Sequence, residues 1–155
     1  MYKMGEVIAH NKLGLCTIKE ITQINDIDYY VLISNIDNTK IMIPISNADK
    51  LTRKIITKEE IEELVNKIPN INIDLIKDFK TRMKTYDELL KSGEIENLAI
   101  LSRTIYEYKK ESKNLTVADK EIFKATEKIL FDELAYVLNI DNKNDVSKYL
   151  FKKVH

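Results

Sequence analysis

The chain has no tryptophan, one cysteine, two prolines, two histidines and three glycines in 155 residues. Each scarcity removes a class of function. Cys16 is the single cysteine, so no intramolecular disulfide can form. Gly5, Gly14 and Gly93 stand far apart, so neither a glycine-rich phosphate loop nor a dinucleotide-binding turn can be assembled. His10 and His155 have no Cys/His cluster near them in sequence. That argues against zinc and leaves no metal site or cofactor to expect. No apolar run approaches the roughly 18–20 residues that a membrane span needs. The N-terminal residues run into a charged strand pattern and show no apolar signal segment. A cytoplasmic location with no membrane partner is expected.

Net charge is also missing. The formal charge is zero, with 25 basic and 25 acidic side chains. Residues 1–69 carry nine basic and ten acidic residues, and residues 70–155 carry sixteen and fifteen. A free-standing, tight nucleic-acid binder usually shows a clear basic excess. Any DNA contact here must come from a local patch helped by a second anchor.

What is present is a globular composition, 44% hydrophobic and 32% charged, long enough for one ordinary domain or two small ones. The pattern changes partway along. Residues 6–10, 13–21, 29–33 and 40–43 read as short strands, separated by turns at Asn25-Asp26 and Asp37-Asn38. Pro44 removes a ladder donor, so the strand before it should end there or lie at a sheet edge. From Thr57 the period is helical. Thr57 and Glu60 form a capping-box pattern ahead of Ile61, Leu64, Val65 and Ile68. A second helix is expected from a cap at Asn72 or Asp74, carrying Leu75, Ile76, Phe79, Met83, Tyr86, Leu89 and Leu90, and closing at Ser92-Gly93. A third spans about 94–110. A fourth opens on Thr116 and Asp119 in capping-box style, and a short one covers about 142–151. The expected fold class is α+β. A small, bent, antiparallel, barrel-like module over residues 1–54 precedes a compact all-α domain of about five helices over 55–155.

Candidate chemistry is sparse. Cys16 alternates with apolar residues in a strand, the pattern of a core cysteine and not of a nucleophile. His10 reads as a strand residue with a satisfied ring. No catalytic constellation emerges, so an enzyme is not expected.

Within this order of modules, specific residues resemble the CarD family of transcription regulators. Met4-Gly5-Glu6-Val7-Ile8 is similar to the family's opening, and Gly14 to the glycine of its first turn. Tyr29-Tyr30-Val31-Leu32 followed by Ile43-Pro44-Ile45-Ser46-Asn47-Ala48-Asp49 resembles its "YYVL…VPVDNAD" segment. Leu90-Lys91-Ser92-Gly93-Glu94 resembles its "LKSGD" junction. Leu115 to Lys120 and then Ile129 to Ala135 resemble its "LSxxEK…ILVxELA" helix. Together the fragments span the chain to about Leu138.

The resemblance implies a Tudor-like N-terminal module, shared with transcription-repair coupling factor, that binds the β subunit of RNA polymerase by strand addition. Here that strand is Lys40, Ile41, Met42, Ile43 and Pro44. It also implies a helical domain that lies on promoter DNA at the upstream edge of the bubble and stabilises the open complex. That is a binding function without chemistry or cofactor, performed by a nucleoid-associated monomer whose own DNA affinity is weak and not sequence-specific. Counting back from Gly93, the family's minor-groove tryptophan falls on Phe79, and phenylalanine also serves as a wedge at unstacked steps. Lys80, Arg82 and Lys84 would hold phosphates beside it, and Lys120 falls on a family lysine that contacts DNA. Spacing alone gives Phe79 another reading, as a core aromatic in a stripe with Met83 and Tyr86. Met42 stands where many relatives carry arginine, and the loop around residues 23–28 is short and lacks a basic residue. The near-neutral helical half keeps an alternative open, a polymerase-binding adaptor whose helical domain meets a protein and not DNA. A helix-turn-helix repressor would need a basic recognition helix and a dimer seam, and neither is visible.

Overall fold

A computed structural model describes residues 1–73, 75–111 and 114–155. The chain divides into two compact units, Met1–Ile55 and Ile56–His155.

The first unit is an antiparallel sheet of five strands among the described residues: β1 (Val7–His10), β2 (Gly14–Ile24), β3 (Ile27–Ser34), β4 (Lys40–Pro44) and β5 (Thr52–Lys54). Their order across the sheet is β4-β3-β2-β1-β5, so the sheet is open and the expected barrel is only approximate. The β2–β3 hairpin turns on Asn25 and Asp26, whose φ angles are 52° and 64°. Both are positive, as a two-residue type I′ turn requires, and Asn and Asp tolerate that region best after glycine. The strands run further than expected because Ile24 pairs with Ile27 immediately at the turn. An irregularity between Ile18 and Glu20 bends β2, as a bulge does. Four or five strands are expected from the sequence, but the fifth cannot be placed there, since Thr52-Arg-Lys54 has no apolar alternation.

The core of this unit packs Ile8, Cys16, Ile18, Tyr30, Leu32, Ile43 and Ala48. Ala48 begins a single helical turn, α1 (Ala48–Leu51). Tyr2 closes this core. Its ring lies 5.5 Å from that of Tyr30, and its N–H donates to the Tyr30 hydroxyl at 2.9 Å. Thr52 donates its hydroxyl proton to the Ala48 carbonyl at 2.7 Å, so the Tyr2 hydroxyl, 3.0 Å away, donates to Thr52.

The second unit contains α2 (Lys58–Lys67), α3 (Phe79–Ser92), α4 (Ile95–Lys110), α5 (Val117–Leu138) and α6 (Lys143–Leu150). The capping box read at α2 is present, with Thr57 and Glu60 each accepting the other's backbone N–H at 3.1 Å. Thr116 and Asp119 do the same at α5. Buried Glu133 accepts the Ile56 N–H at 2.8 Å and fixes the approach to α2. Two apolar clusters form. One joins Ile61, Val65, Leu98, Leu130, Leu134 and Leu150. The other joins Tyr86, Leu101, Ile105, Tyr108 and Phe123.

One helix start differs from expectation. α3 begins at Phe79 with Asp78 as its cap, so Leu75 and Ile76 precede the helix. Asn72 does not cap it, and Asp74 lies outside the described residues. The Asp78 carboxylate accepts from the Thr81 N–H at 2.9 Å and from the Thr81 hydroxyl at 2.6 Å. These bonds hold its carboxyl below the usual range, the hydroxyl bond contributing most. α3 ends where expected, at Gly93, whose φ of 66° favours a residue without Cβ. Among the described residues no helix is long and apolar enough to cross a membrane.

Candidate functional site

The beginning of α3 places an aromatic ring on the surface of the helical unit. Phe79 is the first residue of the helix and is 49% exposed. It is not a core aromatic. Tyr86, two turns along, is buried instead.

Arg82 lies one turn after Phe79 and, unlike an exposed phosphate-binding cation, is buried. Its guanidinium makes a two-pronged bond to Asp119 on α5, Nε to Oδ1 at 2.9 Å and Nη2 to Oδ2 at 3.1 Å. Nη1 donates to the carbonyls of Ile76 and Lys77, both at 3.2 Å. The guanidinium carbon sits 5.4 Å from the centre of the Phe79 ring. Only arginine has the planar fork for two carboxylate oxygens with a further nitrogen left for backbone carbonyls.

Asp119 is only 1% exposed and also caps α5. The Thr116 N–H and hydroxyl donate to its Oδ2 at 3.0 and 2.8 Å. Burial pushes its carboxyl upward, but the hydrogen bonds from Arg82 and Thr116 outweigh that and hold it below its ordinary value. The same bonds to Asp119, chiefly, keep Arg82 protonated. The contact therefore joins the first turn of α3 to the first turn of α5.

The remaining candidate cations are exposed. Lys80 and Lys84 border an open hollow of about 470 Å³ with Thr81, Thr85 and Glu88. Lys120 follows Asp119 directly and is exposed, as are Lys124 and Lys128. Glu121 is exposed among them, whereas Glu127 pairs with Lys109 at 2.7 Å. Val117, the first residue of α5, is 73% exposed. The Arg82–Asp119 contact thus links Phe79, Lys80 and Lys84 on one helix to Lys120 on another.

Asp119 had been legible only as a cap. The available signal was Arg82 itself, which lies three residues after Phe79 and four before Tyr86. A cation on the apolar stripe of a helix needs a buried counter-charge.

In the sheet unit, β4 is an edge strand that ends at Pro44. The tight β2–β3 turn makes Ile24 and Ile27 a hydrogen-bonded pair, so alternate residues Ile27, Tyr29 and Val31 face β2 with their backbone. Tyr30, Leu32 and Ser34 then face β4, consistent with the Ser34 N–H donating to the Thr39 carbonyl at 2.8 Å. By register, Ile41 and Ile43 answer them. The backbone groups of Lys40 and Met42 point out from the open edge. Pro44 also faces outward, where its missing N–H costs the ladder nothing.

Side chains follow the same alternation. Ile43 faces the core, and Met42 is 39% exposed on the other face. On the same face Val31 is buried, whereas Ile27 and Ile24 at the far end of the hairpin are each 47% exposed.

The residues considered for chemistry are otherwise occupied. Cys16 is fully buried, and burial pushes its thiol up to about 11. His10 Nδ1 accepts the N–H groups of Lys12 and Leu13, both at 3.1 Å. Among the described residues no three His, Cys, Asp or Glu side chains gather as a metal ion would require.

Two family matches cover most of the chain. Residues 2–56 match the CarD-like/TRCF RID domain. Residues 68–150 match CarD, C-terminal domain. No curated protein matches the chain. The open sheet carries the first match and the helical unit the second, and the second alone covers more than half of the sequence. The chain belongs to the CarD family and is an RNA polymerase-interacting transcription factor, built from domains of a non-catalytic kind.

Proposed function

We propose that this protein docks on the β subunit of RNA polymerase through β4 and stabilises the promoter open complex through minor-groove contacts at the upstream edge of the bubble. The observation that carries the reading is Phe79, a half-exposed ring at a helix start, backed by a buried ion pair. A ring held there enters an unstacked base step as a wedge, while Lys80, Lys84 and Lys120 hold phosphates. Arg82 belongs to this site from beneath the ring.

On the polymerase side, Lys40 and Met42 offer outward N–H and C=O groups to an incoming strand, with Ile41, Ile43 and Pro44 fixing the register. Met42 replaces a charged contact with an apolar one. The protein acts as a monomer in the bacterial cytoplasm and uses no cofactor. Its DNA affinity alone is weak and not sequence-specific.

The near-neutral helical half favours a second reading, an adaptor whose helical unit meets a protein through Phe79 and Val117. One experiment separates the two. Promoter opening by the cognate polymerase holoenzyme is followed with a fluorescent probe in the bubble, with wild-type protein and with Phe79→Ala. The wedge reading expects the wild type to lengthen the open-complex lifetime. Phe79→Ala should lose about 1–3 kcal/mol of base stacking, roughly 5- to 150-fold in lifetime, and still bind polymerase. A wild type that binds polymerase and leaves opening unchanged supports the adaptor. Failure to bind polymerase refutes both.

A further inference from the structure

We infer that Arg82 is the positioning residue of the Phe79 wedge, acting through the ring and the strap before it without touching phosphate. The inference rests on the wedge reading and assigns the part of the site that aims the ring.

Three features of the geometry separate this contact from an ordinary stabilising ion pair. First, one guanidinium nitrogen is committed to the carbonyls of Ile76 and Lys77, the two residues before the α3 cap. The chain leading into Phe79 is therefore tied down from below. Second, the guanidinium lies 5.4 Å from the centre of the ring. A phenylalanine at the first position of a helix has two free side-chain torsions and no preceding turn to pack on. A cation beneath its face restricts them, since the ring's negative face attracts it. Third, the anchor is Asp119, which is fixed by Thr116 and immediately precedes Lys120. The Lys120 N–H is itself bonded to the Thr116 carbonyl at 3.1 Å. The ring is thus anchored to the capped first turn of α5, while Lys120 keeps its own backbone bond.

Burial decides the mode of action. Arg82 is 8% exposed and Asp119 1%. All three guanidinium nitrogens donate within the protein. Four of the five N–H donors of Arg82 are engaged there and the side chain is buried, so its removal changes where Phe79 sits and not how many phosphates are neutralised.

The test uses full-length protein with the polymerase holoenzyme. Arg82→Met alone leaves Asp119 buried and unpaired, and such a variant can fail to fold. The working variant is therefore Arg82→Met with Asp119→Leu, which replaces both charges by apolar groups of similar size. It is compared with Phe79→Ala and with all three changes together. Open-complex lifetime is measured against salt concentration, with polymerase affinity as a control. In parallel, a 4-fluorophenylalanine at position 79 reports ring order by fluorine resonance in the free protein.

The expected result is a lifetime reduced to the Phe79→Ala level, five-fold or more, with an unchanged salt slope. Phe79→Ala added to the pair should reduce it no further. The fluorine signal should move toward its unfolded position. A salt slope lowered by about 0.9 would mean a lost phosphate contact and overturn the inference. So would a normal lifetime in the double variant, or effects that multiply in the triple. If Phe79→Ala leaves the lifetime unchanged, the wedge reading falls. The fluorine signal then still decides whether Arg82 orders the ring, and an unshifted signal in the double variant overturns the positioning role on its own.

Discussion

The alternation along β4 makes two neighbouring proline substitutions behave differently. Ile41 faces β3 with its backbone and pairs with Leu32. Ile41→Pro removes the N–H donated to the Leu32 carbonyl. Leu32 is fully buried, so water cannot replace the donor. An unpaired buried acceptor costs about 1–3 kcal/mol. Loss of the half-buried isoleucine side chain adds about 1 kcal/mol. The sheet unit should therefore lose about 2–4 kcal/mol, a large part of the stability of a small domain. Met42 faces the other way. Met42→Pro removes an N–H that points into solvent, as Pro44 already does two residues later, and the ladder to β3 stays whole. Its cost falls on the partner instead, because one inter-chain bond is lost and the incoming strand keeps an unanswered carbonyl. That is about 1–3 kcal/mol, or roughly 5- to 150-fold in Kd. Urea unfolding of the sheet unit can be followed by pulsed labelling of Cys16, the chain's single cysteine and a member of that core. Polymerase affinity is measured beside it. Equal destabilisation by the two prolines would refute the alternation. A stable Met42→Pro with unaltered polymerase affinity would refute β4 as the docking strand.

Asp119→Asn keeps the shape of the side chain and removes its charge, leaving Arg82 buried and unpaired. Breaking a buried pair costs about 3–5 kcal/mol, so the helical unit should melt more than 10 °C lower in calorimetry, at about 4–8 °C per kcal/mol. A fall of only a degree or two would show that the pair adds little. His10 is held below its ordinary 6.5 by burial first and by Lys12 second, and its Nδ1 accepts two backbone N–H groups. Its contribution is complete above pH 6.5 and is lost as pH falls toward the folded value. The urea midpoint of the sheet unit should therefore drop between pH 7 and 5 in wild type and drop less in His10→Gln; an equal drop in both would contradict this. Cys16, with its thiol pushed up to about 11 and no exposure, should react with a thiol reagent at pH 8 only as the sheet unit opens. A reaction rate insensitive to urea below the unfolding midpoint and close to that of free cysteine would show an open site.

Local chemistry was legible in the sequence, and distant pairing was not. Thr57 with Glu60 and Thr116 with Asp119 were readable as caps because both partners lie within one turn. Asn25-Asp26 was readable as a turn because those residues tolerate positive φ. The start of α3 was misplaced because Leu75 and Ile76 continue the apolar spacing of the helix backward. What ends the helix at Phe79 is the Asp78 cap together with Arg82, which draws the Ile76 and Lys77 carbonyls to itself. Arg82 does so because Asp119 holds it, and the two lie 37 positions apart. Periodicity sees neither fact. For the same reason spacing left Phe79 undecided between core and surface: a stripe shows which face a residue shares, not where along that face the core ends. The strand β5 could not be placed because its pairing with β1 supplies what its side chains do not announce.

The absence of net charge, which first argued against DNA binding, becomes intelligible on the proposed reading. Lys80, Lys84 and Lys120 are three exposed cations, and non-specific binding on a few phosphates gives a Kd of about 10⁻⁴–10⁻⁶ M or weaker at physiological salt. Free in solution, such a protein would leave most DNA uncovered. Once β4 is docked, the helical unit is tethered near the bubble at an effective concentration that reaches the millimolar range for short connections. A weak site is then filled there and almost nowhere else. A strongly basic helical unit would bind duplex throughout the chromosome and lose that restriction. Selectivity would come from the polymerase contact, duration from the Phe79 ring, and the neutral surface would keep the two dependent on each other. Adding surface lysines to the exposed side of α5 should therefore raise affinity for naked duplex while eroding the dependence of DNA association on polymerase. A charge-augmented variant that stays strictly polymerase-dependent would break this argument.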